Sequence, residues 1–335
     1  MRLRILLTLV SSIILVFQPK NSSASLIINT SAGQLTSSPS EFAYGSNIKS
    51  EGYQAVTSYD NGFIAAGSDG RIDWISDSGK ITKSEKFPGE EFNSLLSFNQ
   101  IVIAAGSKGS ILISFNKGLF KKVKSGTDKN INSLTLFKEK IIAAADHGEI
   151  LIGDEKGLFK KIQLALRGNI VSISAEKSGC FGVTDEGEII HTADGINWDI
   201  FDFNKFYDGY YKPCKFTSVL VTENQIAAAG VQNDGLPVLI LSTRGKVWTE
   251  RPLSYTDDHG MISFLKDIPY DIFYDLAINQ FILVCSKGKL MTIPSCSHCN
   301  ELIAFSTEDL KGISANGKKV IIVGENFFFK LINPQ

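Results

Sequence analysis

A short polar turn containing a glycine recurs at a fixed interval along this chain. The turns read GSDGRI, GSKGSI, ADHGEI and TDEGEI, and their marker glycines are Gly70, Gly109, Gly148 and Gly187, with equal intervals between them. Weaker copies follow at Gly235, Gly288 and Asn326, where the spacing is less regular. A period of about 40 residues is typical of repeat architectures, and here it predicts seven units.

Each unit contains short runs of β-forming residues separated by polar turns. Examples are FIAAG, ILIS and LILS, and no helical stripe is long enough to compete with them. Glycine suits a tight hairpin because it adopts positive φ without steric cost. Units of this length predict an all-β fold, a seven-bladed β-propeller with four-stranded antiparallel blades. A solenoid with the same period is the structural alternative.

The last unit has room for about three strands, so closure of the ring requires one more. The segment SLIINTS at residues 25–31 can supply that outer strand from the mature N-terminus. Pairing the two ends would also protect an exposed sheet edge. We therefore expect the mature N-terminal strand to close the last blade.

The segment at residues 1–24 has the three parts of an export signal. Arg2 and Arg4 precede an apolar run from Ile5 to Phe17, which is shorter than a membrane-spanning helix, and Ser22-Ser23-Ala24 offers a cleavage site. Cleavage would leave residues 25–335 as a single propeller domain in the periplasm or outside the cell. An uncleaved anchor is the alternative.

The charge balance is nearly even, with 34 basic and 35 acidic residues. Such a balance argues against nucleic acid, or a membrane surface, as a partner held by bulk charge. After signal cleavage, we expect a chain that does not span the membrane.

A second mark lies between the third and fourth strands of the units. The sequence TADGINW at residues 192–198 contains Asp194, which can cap the turn, and Trp198, which can pack between sheets. Phe120, Phe159 and Trp198 stand at the same distance after their marker glycines, and STRGKVW at 242–248 is a further copy. This motif resembles the Asp-box of BNR and sialidase-type propellers, and the unit as a whole resembles the photosystem II stability and assembly factor-like group. The resemblance implies a seven-bladed scaffold that binds another protein.

Catalysis has little support in the sequence. A sialidase holds its substrate carboxylate with three arginines, whereas the mature chain has only Arg71, Arg167, Arg244 and Arg251 and no Phe-Arg-Ile-Pro string. The four histidines lack metal-type spacing, and there is no nucleophile elbow or phosphate-binding loop. We therefore predict no catalytic residues, no metal and no cofactor.

The five cysteines indicate compartment more than chemistry. An exported chain meets oxidising conditions, and CSHC at residues 296–299 favours a local disulfide over a redox pair or a zinc site. Cys180 and Cys214 could bridge adjacent blades, but connectivity among the five cysteines, Cys285 included, cannot be deduced from sequence, and an odd thiol would be left.

Two long intervals hold insertions that we expect at blade entries, next to one another on the face that carries the marker turns. The first insertion, residues 201–214, is rich in aromatic side chains; the second, residues 254–275, mixes aromatic and acidic ones. Tyrosine on a rigid scaffold suits recognition of proteins or sugars, although the rings could instead pack as local core. The candidate binding residues are Phe206, Tyr207, Tyr210, Tyr211, Tyr255, Asp257, Asp258, His259 and Tyr270.

These observations favour a non-catalytic, exported propeller that serves as a protein-binding or assembly scaffold. The alternative is a carbohydrate-binding or glycosidase-like propeller, which would gather carboxylates at the mouth of the central channel. A redox protein using Cys296 and Cys299 is a third hypothesis.

Overall fold

A computed structural model describes residues 50–294 and 300–332 of this chain. The chain forms the predicted all-β, seven-bladed propeller of antiparallel sheets. Within the described residues six blades have four strands, the seventh has three, and an additional two-stranded hairpin stands outside the blades. The segments predicted as signal peptide and as closing strand, residues 1–24 and 25–31, lie outside the described residues.

The strands of each blade follow one another in sequence. Blades 1 to 3 contain β1 (Tyr53–Tyr59), β2 (Gly62–Gly67), β3 (Arg71–Ile75), β4 (Ile81–Lys86); β5 (Phe92–Phe98), β6 (Ile101–Gly106), β7 (Ile111–Phe115), β8 (Lys121–Val123); and β9 (Ile131–Phe137), β10 (Lys140–Ala145), β11 (Glu149–Gly153), β12 (Phe159–Gln163). Blades 4 and 5 contain β13 (Ile170–Glu176), β14 (Gly179–Thr184), β15 (Glu188–Thr192), β16 (Asp199–Asp202); and β17 (Cys214–Val221), β18 (Ile226–Gln232), β19 (Pro237–Ser242), β20 (Thr249–Glu250). The hairpin outside the blades is β21 (Ser254–Thr256) and β22 (Ile262–Phe264). Blades 6 and 7 contain β23 (Pro269–Asp275), β24 (Gln280–Cys285), β25 (Lys289–Pro294), β26 (Glu301–Ala304); and β27 (Leu310–Asn316), β28 (Lys319–Gly324), β29 (Phe329–Ile332).

Helices are short and few in the described part of the chain. One α-helix, α1, spans Phe203–Phe206, and single 3-10 turns occupy Ser68–Gly70, Ser107–Gly109 and Asp146–Gly148.

The first strand of each blade is the innermost, and the seven first strands lie side by side around a central channel. The first strand of blade 7 contacts the first strand of blade 1, so the described residues complete the ring. Apolar side chains fill the space between neighbouring sheets; Ile103 of blade 2 and Ile141 of blade 3, for example, belong to one buried cluster. The continuous apolar runs of the second strands, such as β6, are buried on both faces.

The marker glycines close the turns between second and third strands. Gly70, Gly109 and Gly148 have φ of 64°, 68° and 75°. A Cβ at Gly109 would stand 2.1 Å from the Thr127 carbonyl oxygen, which no side chain can tolerate. Glycine is therefore required by both the backbone conformation and the close approach of the loop between β8 and β9.

In blade 7 the register mark falls one residue later than the sequence analysis placed it. The first residue of each of these turns donates its N–H to the carbonyl before its blade's first strand, as Ser107 does to Glu91 and Glu325 does to Asp309. Counting from Glu325, the glycine position belongs to Phe327 rather than Asn326. Asn326 and Phe327 both have left-handed φ, 55° and 54°. The sequence pattern therefore did not show which of the two residues holds the glycine position.

The predicted aromatic slot is occupied as expected. Phe120, Phe159, Trp198 and Trp248 each pack at the interface with the preceding blade. In the turn before Trp198, the Asp194 carboxylate accepts the backbone N–H groups of Ile196 and Asn197, both at 2.8 Å. Those hydrogen bonds lower the pKa of Asp194, and the bond from the Asn197 N–H has the largest effect.

Candidate functional site

The first insertion folds back onto blade 5. Its helix α1 starts where the Asp202 carboxylate accepts the Lys205 N–H, and the Phe203 ring is buried against Phe216 and Trp248. Tyr207 and Tyr211 are half-buried against the same cluster.

The hydroxyls of these two tyrosines fasten the insertion to the outer strand of blade 5. The Tyr207 hydroxyl accepts the Trp248 N–H at 3.0 Å, and the Tyr211 hydroxyl accepts the Glu250 N–H at 3.3 Å. Tyr211 also stacks on Phe203, with ring centroids 5.9 Å apart. These two predicted binding residues therefore serve as anchors, because their polar and apolar parts are both used within the chain.

Phe206 and Tyr210 remain on the surface. Their exposures are 66% and 77%, and each packs one side of its ring against Tyr207. The half-buried Tyr207 thus holds two large exposed rings in defined positions, which reduces the entropy lost when they contact another molecule.

The second insertion differs from its predicted position. The β21–β22 hairpin lies along the outer edge of the ring, where Asn300 at the start of β26 donates to the carbonyls of Pro252 and Ser254. Leu253 and Leu265 bury the base of the hairpin against blades 5 and 6, and Tyr255 is half-buried there. The insertion forms a separate hairpin that follows the outer edge of the blade, whereas the sequence predicted a loop at the blade entry.

Asp257 shapes the hairpin turn. Its carboxylate accepts N–H groups from His259 and Met261 and the hydroxyl of Ser263. These hydrogen bonds lower the pKa of Asp257, and the bond from the Met261 N–H has the largest effect. Asp258 and His259 are exposed at the tip.

Three apolar side chains of this hairpin face solvent, namely Met261, Ile262 and Phe264. None of the three is among the candidate binding residues predicted from the sequence. The signal available was the run MISF, which follows the turn and would be buried in an ordinary blade strand.

Tyr270 belongs to a different place, the first strand of blade 6 at the central channel. Its hydroxyl donates to Asp309 Oδ2 at 2.9 Å, and Lys311 Nζ lies 3.1 Å from the same oxygen and 3.5 Å from the Tyr270 ring centroid. Tyr270 therefore lies at the central channel, apart from the exposed side chains of the two insertions, although it is adjacent to the second insertion in sequence.

The channel holds a cavity of about 440 Å³ lined by all seven first strands. Every first strand has a β-bulge at the same register position, which turns one extra side chain toward the cavity. These bulge residues are Gln54, Asn93, Asn132, Val171, Thr217, Tyr270 and Lys311. The first four recur with the same period as the marker glycines.

In blades 2 to 6 the residue after the bulge links neighbouring blades. The hydroxyls of Ser94, Ser133 and Ser172 accept N–H groups from Leu134, Ile173 and Val219 of the following blade. In blade 6 an aspartate takes this place.

Asp271 accepts the Ser218 hydroxyl at 3.2 Å and the Ile313 N–H at 3.3 Å. Burial among the first strands outweighs these bonds and raises the pKa of Asp271 to about 6. This is the one carboxyl in the described cavity wall with a resolved upward pKa shift.

Asp146 and Asp185 line the same cavity, so three of its lining residues carry carboxyl groups. Asp146 accepts both Asn130 and Asn132 amides, and Asp185 accepts the backbone and side-chain N–H groups of Asn169. Two of the three carboxyl groups therefore already accept hydrogen bonds from asparagine residues of the same chain.

Cys180, Cys214 and Cys285 are buried free thiols. The possible Cys180–Cys214 bridge is absent because the two side chains lie on opposite sides of blade 4: Cys180 of blade 4 packs against blade 3, whereas Cys214 of blade 5 lies in the cluster between blades 4 and 5. Burial raises the pKa of each thiol. Cys296 and Cys299 lie outside the described residues.

Across the described ranges, no three His, Cys, Asp or Glu side chains are grouped to hold a metal ion. A search of the same ranges for a helix long and apolar enough to cross a membrane also finds none.

The fold is that of known propellers. The model aligns with the WD40 domain of Neurospora crassa Pan2 at a TM-score of 0.63 and 10% identity, covering 85% of this chain and 90% of that one. The WD40 β-propeller domain of Doa1 gives 0.62 and 10%, over 84% and 92%. The computationally designed Ika8 protein gives 0.58 and 10%, over 85% and 97%. No protein-family model matches the sequence, and a comparison with curated protein sequences finds no match.

Proposed function

We propose that this chain is an exported, non-catalytic β-propeller that binds another protein through the exposed apolar side chains of its two insertions. Export rests on the signal-like residues 1–24. Membership of the BNR and Asp-box group, with its assembly-factor-like members, belongs to the same proposal and is supported by the Asp194 turn.

The proposal rests on one observation: some aromatic side chains of the first insertion pack against blade 5, and others remain exposed. Phe203, Tyr207 and Tyr211 fix the segment to blade 5, while Phe206 and Tyr210 stay exposed. Local packing alone would not require two large rings at the surface. Anchored aromatic side chains are typical of the centres of protein interfaces.

The second insertion adds exposed apolar side chains next to β26 of blade 6. Met261, Ile262 and Phe264 are all exposed on a hairpin whose base is buried. A partner that reaches both insertions would cover this apolar area, which monomeric proteins rarely leave open.

The test uses affinity capture from the native envelope, followed by binding measurements with the purified partner. We expect Phe206→Ala together with Tyr210→Ala to weaken binding at least tenfold. Leu276→Ala, at an equally exposed side chain in the turn between β23 and β24, should bind as the wild type does. Equal affinity of all three proteins would refute the proposal.

A carbohydrate ligand is the second candidate, and the polar channel cavity is the observation that favours it. Asp146, Asp185 and Asp271 line it together with the serines of the first strands. A glycan array with the wild type and Asp271→Asn tests this candidate. Glycan binding that depends on Asp271 would support it, and the absence of any bound glycan would remove it.

A further inference from the structure

Two neighbouring blades carry the same six residues at the turn between their third and fourth strands. Lys-Gly-Leu-Phe-Lys-Lys occurs at residues 117–122 in blade 2 and again at 156–161 in blade 3. In each copy the phenylalanine packs inward, whereas Leu119 and Leu158 are 79% and 70% exposed. We call these two segments and the side chains they expose the KGLFKK rim.

The two copies form one continuous surface. Gly157 of the second copy sits against Val123, the last residue of β8 in blade 2, where an added Cβ would stand 2.8 Å from a Val123 methyl group. Both leucines therefore project from adjacent turns on the same face, the face opposite the marker turns. That placement leaves the first insertion accessible.

The rim is basic although the chain as a whole is nearly neutral. Residues 117–124 hold four lysines and no acidic residue. Within the portion that the structure describes, Lys121, Lys156 and Lys160 form no ion pair.

The lysines that do form ion pairs remain accessible. Lys117, Lys122 and Lys161 pair with Asp60, Glu90 and Glu149, and the three lysine side chains are 58%, 61% and 44% exposed against 31%, 17% and 8% for their acidic partners. In each of these pairs the lysine side chain is therefore more exposed than its acidic partner, and the acidic residues next to the rim are Asp154 and Glu155, directly before the second copy.

This composition fits a lipid surface better than a protein. Lysine is depleted at protein interfaces, and leucine is under-represented among the residues that contribute most to binding. Aliphatic side chains set among lysines are typical of segments that lie at a membrane interface, where each lysine near anionic lipid adds to the attraction. We propose that the KGLFKK rim docks this propeller on an anionic lipid surface, with Leu119 and Leu158 entering the headgroup region and the lysines contacting lipid phosphates.

The mature full-length chain and vesicle co-sedimentation provide the test. Vesicles of phosphatidylcholine alone are compared with vesicles in which a third of the lipid is phosphatidylglycerol, at low and at physiological salt. We expect the wild type to prefer the anionic vesicles at least tenfold, and to lose affinity as salt rises.

Two double variants separate the two contributions. Leu119→Ser with Leu158→Ser removes the apolar tips, and Lys121→Gln with Lys160→Gln removes charge; each should weaken binding at least fivefold. Matched controls are Leu276→Ser, in a turn of blade 6, and Lys177→Gln with Lys318→Gln, in exposed turns of blades 4 and 7. These controls should bind as the wild type does, and circular dichroism should be unchanged in every variant.

Equal binding to neutral and anionic vesicles would overturn the proposal, as would full binding by both rim variants. Binding to polyglutamate through the same residues, without binding to vesicles, would also overturn it and assign the rim to an acidic protein. Failure of this test leaves the partner-binding measurements on Phe206 and Tyr210 unaffected, so the two proposals can be judged separately.

Discussion

The marker glycines show how single residues determine a blade. At Gly109 a left-handed φ of 68° coincides with a carbonyl oxygen 2.1 Å from any added Cβ. At Gly126 φ is 84° but no atom lies within 4 Å of an added Cβ. The two positions therefore separate backbone strain from steric contact.

We expect Gly109→Ala to lower the free energy of unfolding by about 3 kcal/mol or more, since strain and collision add, and Gly126→Ala by only about 1 kcal/mol. Urea unfolding followed by tryptophan fluorescence measures both. Similar losses in the two variants would mean that the contact with Thr127 is relieved elsewhere in the blade.

Asp271 predicts a pH dependence. Its pKa is raised from 3.8 to about 6 in the folded chain. Below pH 3.8 the carboxyl is neutral in both states; as pH rises toward 6 the unfolded chain ionises first, so the wild type loses stability over this range. Asp271→Asn should remove that loss and be more stable than the wild type at pH 7 by about 2 kcal/mol, after discounting for solvent in the channel.

Unfolding titrations between pH 4 and 7 check this expectation, with the exposed Asp258→Asn as a control that should keep the wild-type slope. An unchanged slope in Asp271→Asn would contradict the argument. The sequence could not have singled out Asp271, because YDIFYD resembles any polar strand end; only the serine register of the other blades shows that an aspartate is out of place there.

At the scale of elements, the repeat marks predicted the strands well and the connections between them poorly. The glycine period and the apolar runs predicted all seven blades. Each hairpin turn needs a residue that adopts left-handed φ, and each buried strand needs apolar side chains, so both features recur in the sequence. Helix α1 is a single turn, too short to show a helical period, and the β21–β22 hairpin has no repeat partner. Both insertions depend on contacts with residues distant in sequence, such as Trp248 and Asn300.

The serine links between first strands can be extended by substitution. Gly312 occupies the serine position in blade 7, and a Cβ there would lie 3.6 Å from Val56 N, with no contact shorter than 3.4 Å. Gly312→Ser should therefore place a hydroxyl within reach of that N–H and raise the free energy of unfolding by about 1 kcal/mol relative to Gly312→Ala. Equal stability of the serine and alanine variants would show that the hydroxyl finds no partner.

At the scale of the whole molecule, the closed ring predicts that the buried thiols are protected together. Cys180, Cys214 and Cys285 lie between blades 3 and 4, 4 and 5, and 5 and 6, respectively. In a Cys296→Ser, Cys299→Ser background, we expect no reaction with a thiol reagent in native buffer and reaction of all three in concentrated urea, with one midpoint matching global unfolding. Early labelling of one thiol would instead reveal a blade that opens alone.

The central claim is that the exposed rings of the first insertion contact a protein partner. The most direct measurement is photo-crosslinking in the native envelope from a benzoyl-phenylalanine placed at Tyr210, compared with the same probe at Leu276. The account predicts one defined protein adduct from position 210, absent at position 276 and lost when Phe206 is replaced by alanine. No adduct at position 210, or the same adduct from both positions, would contradict it.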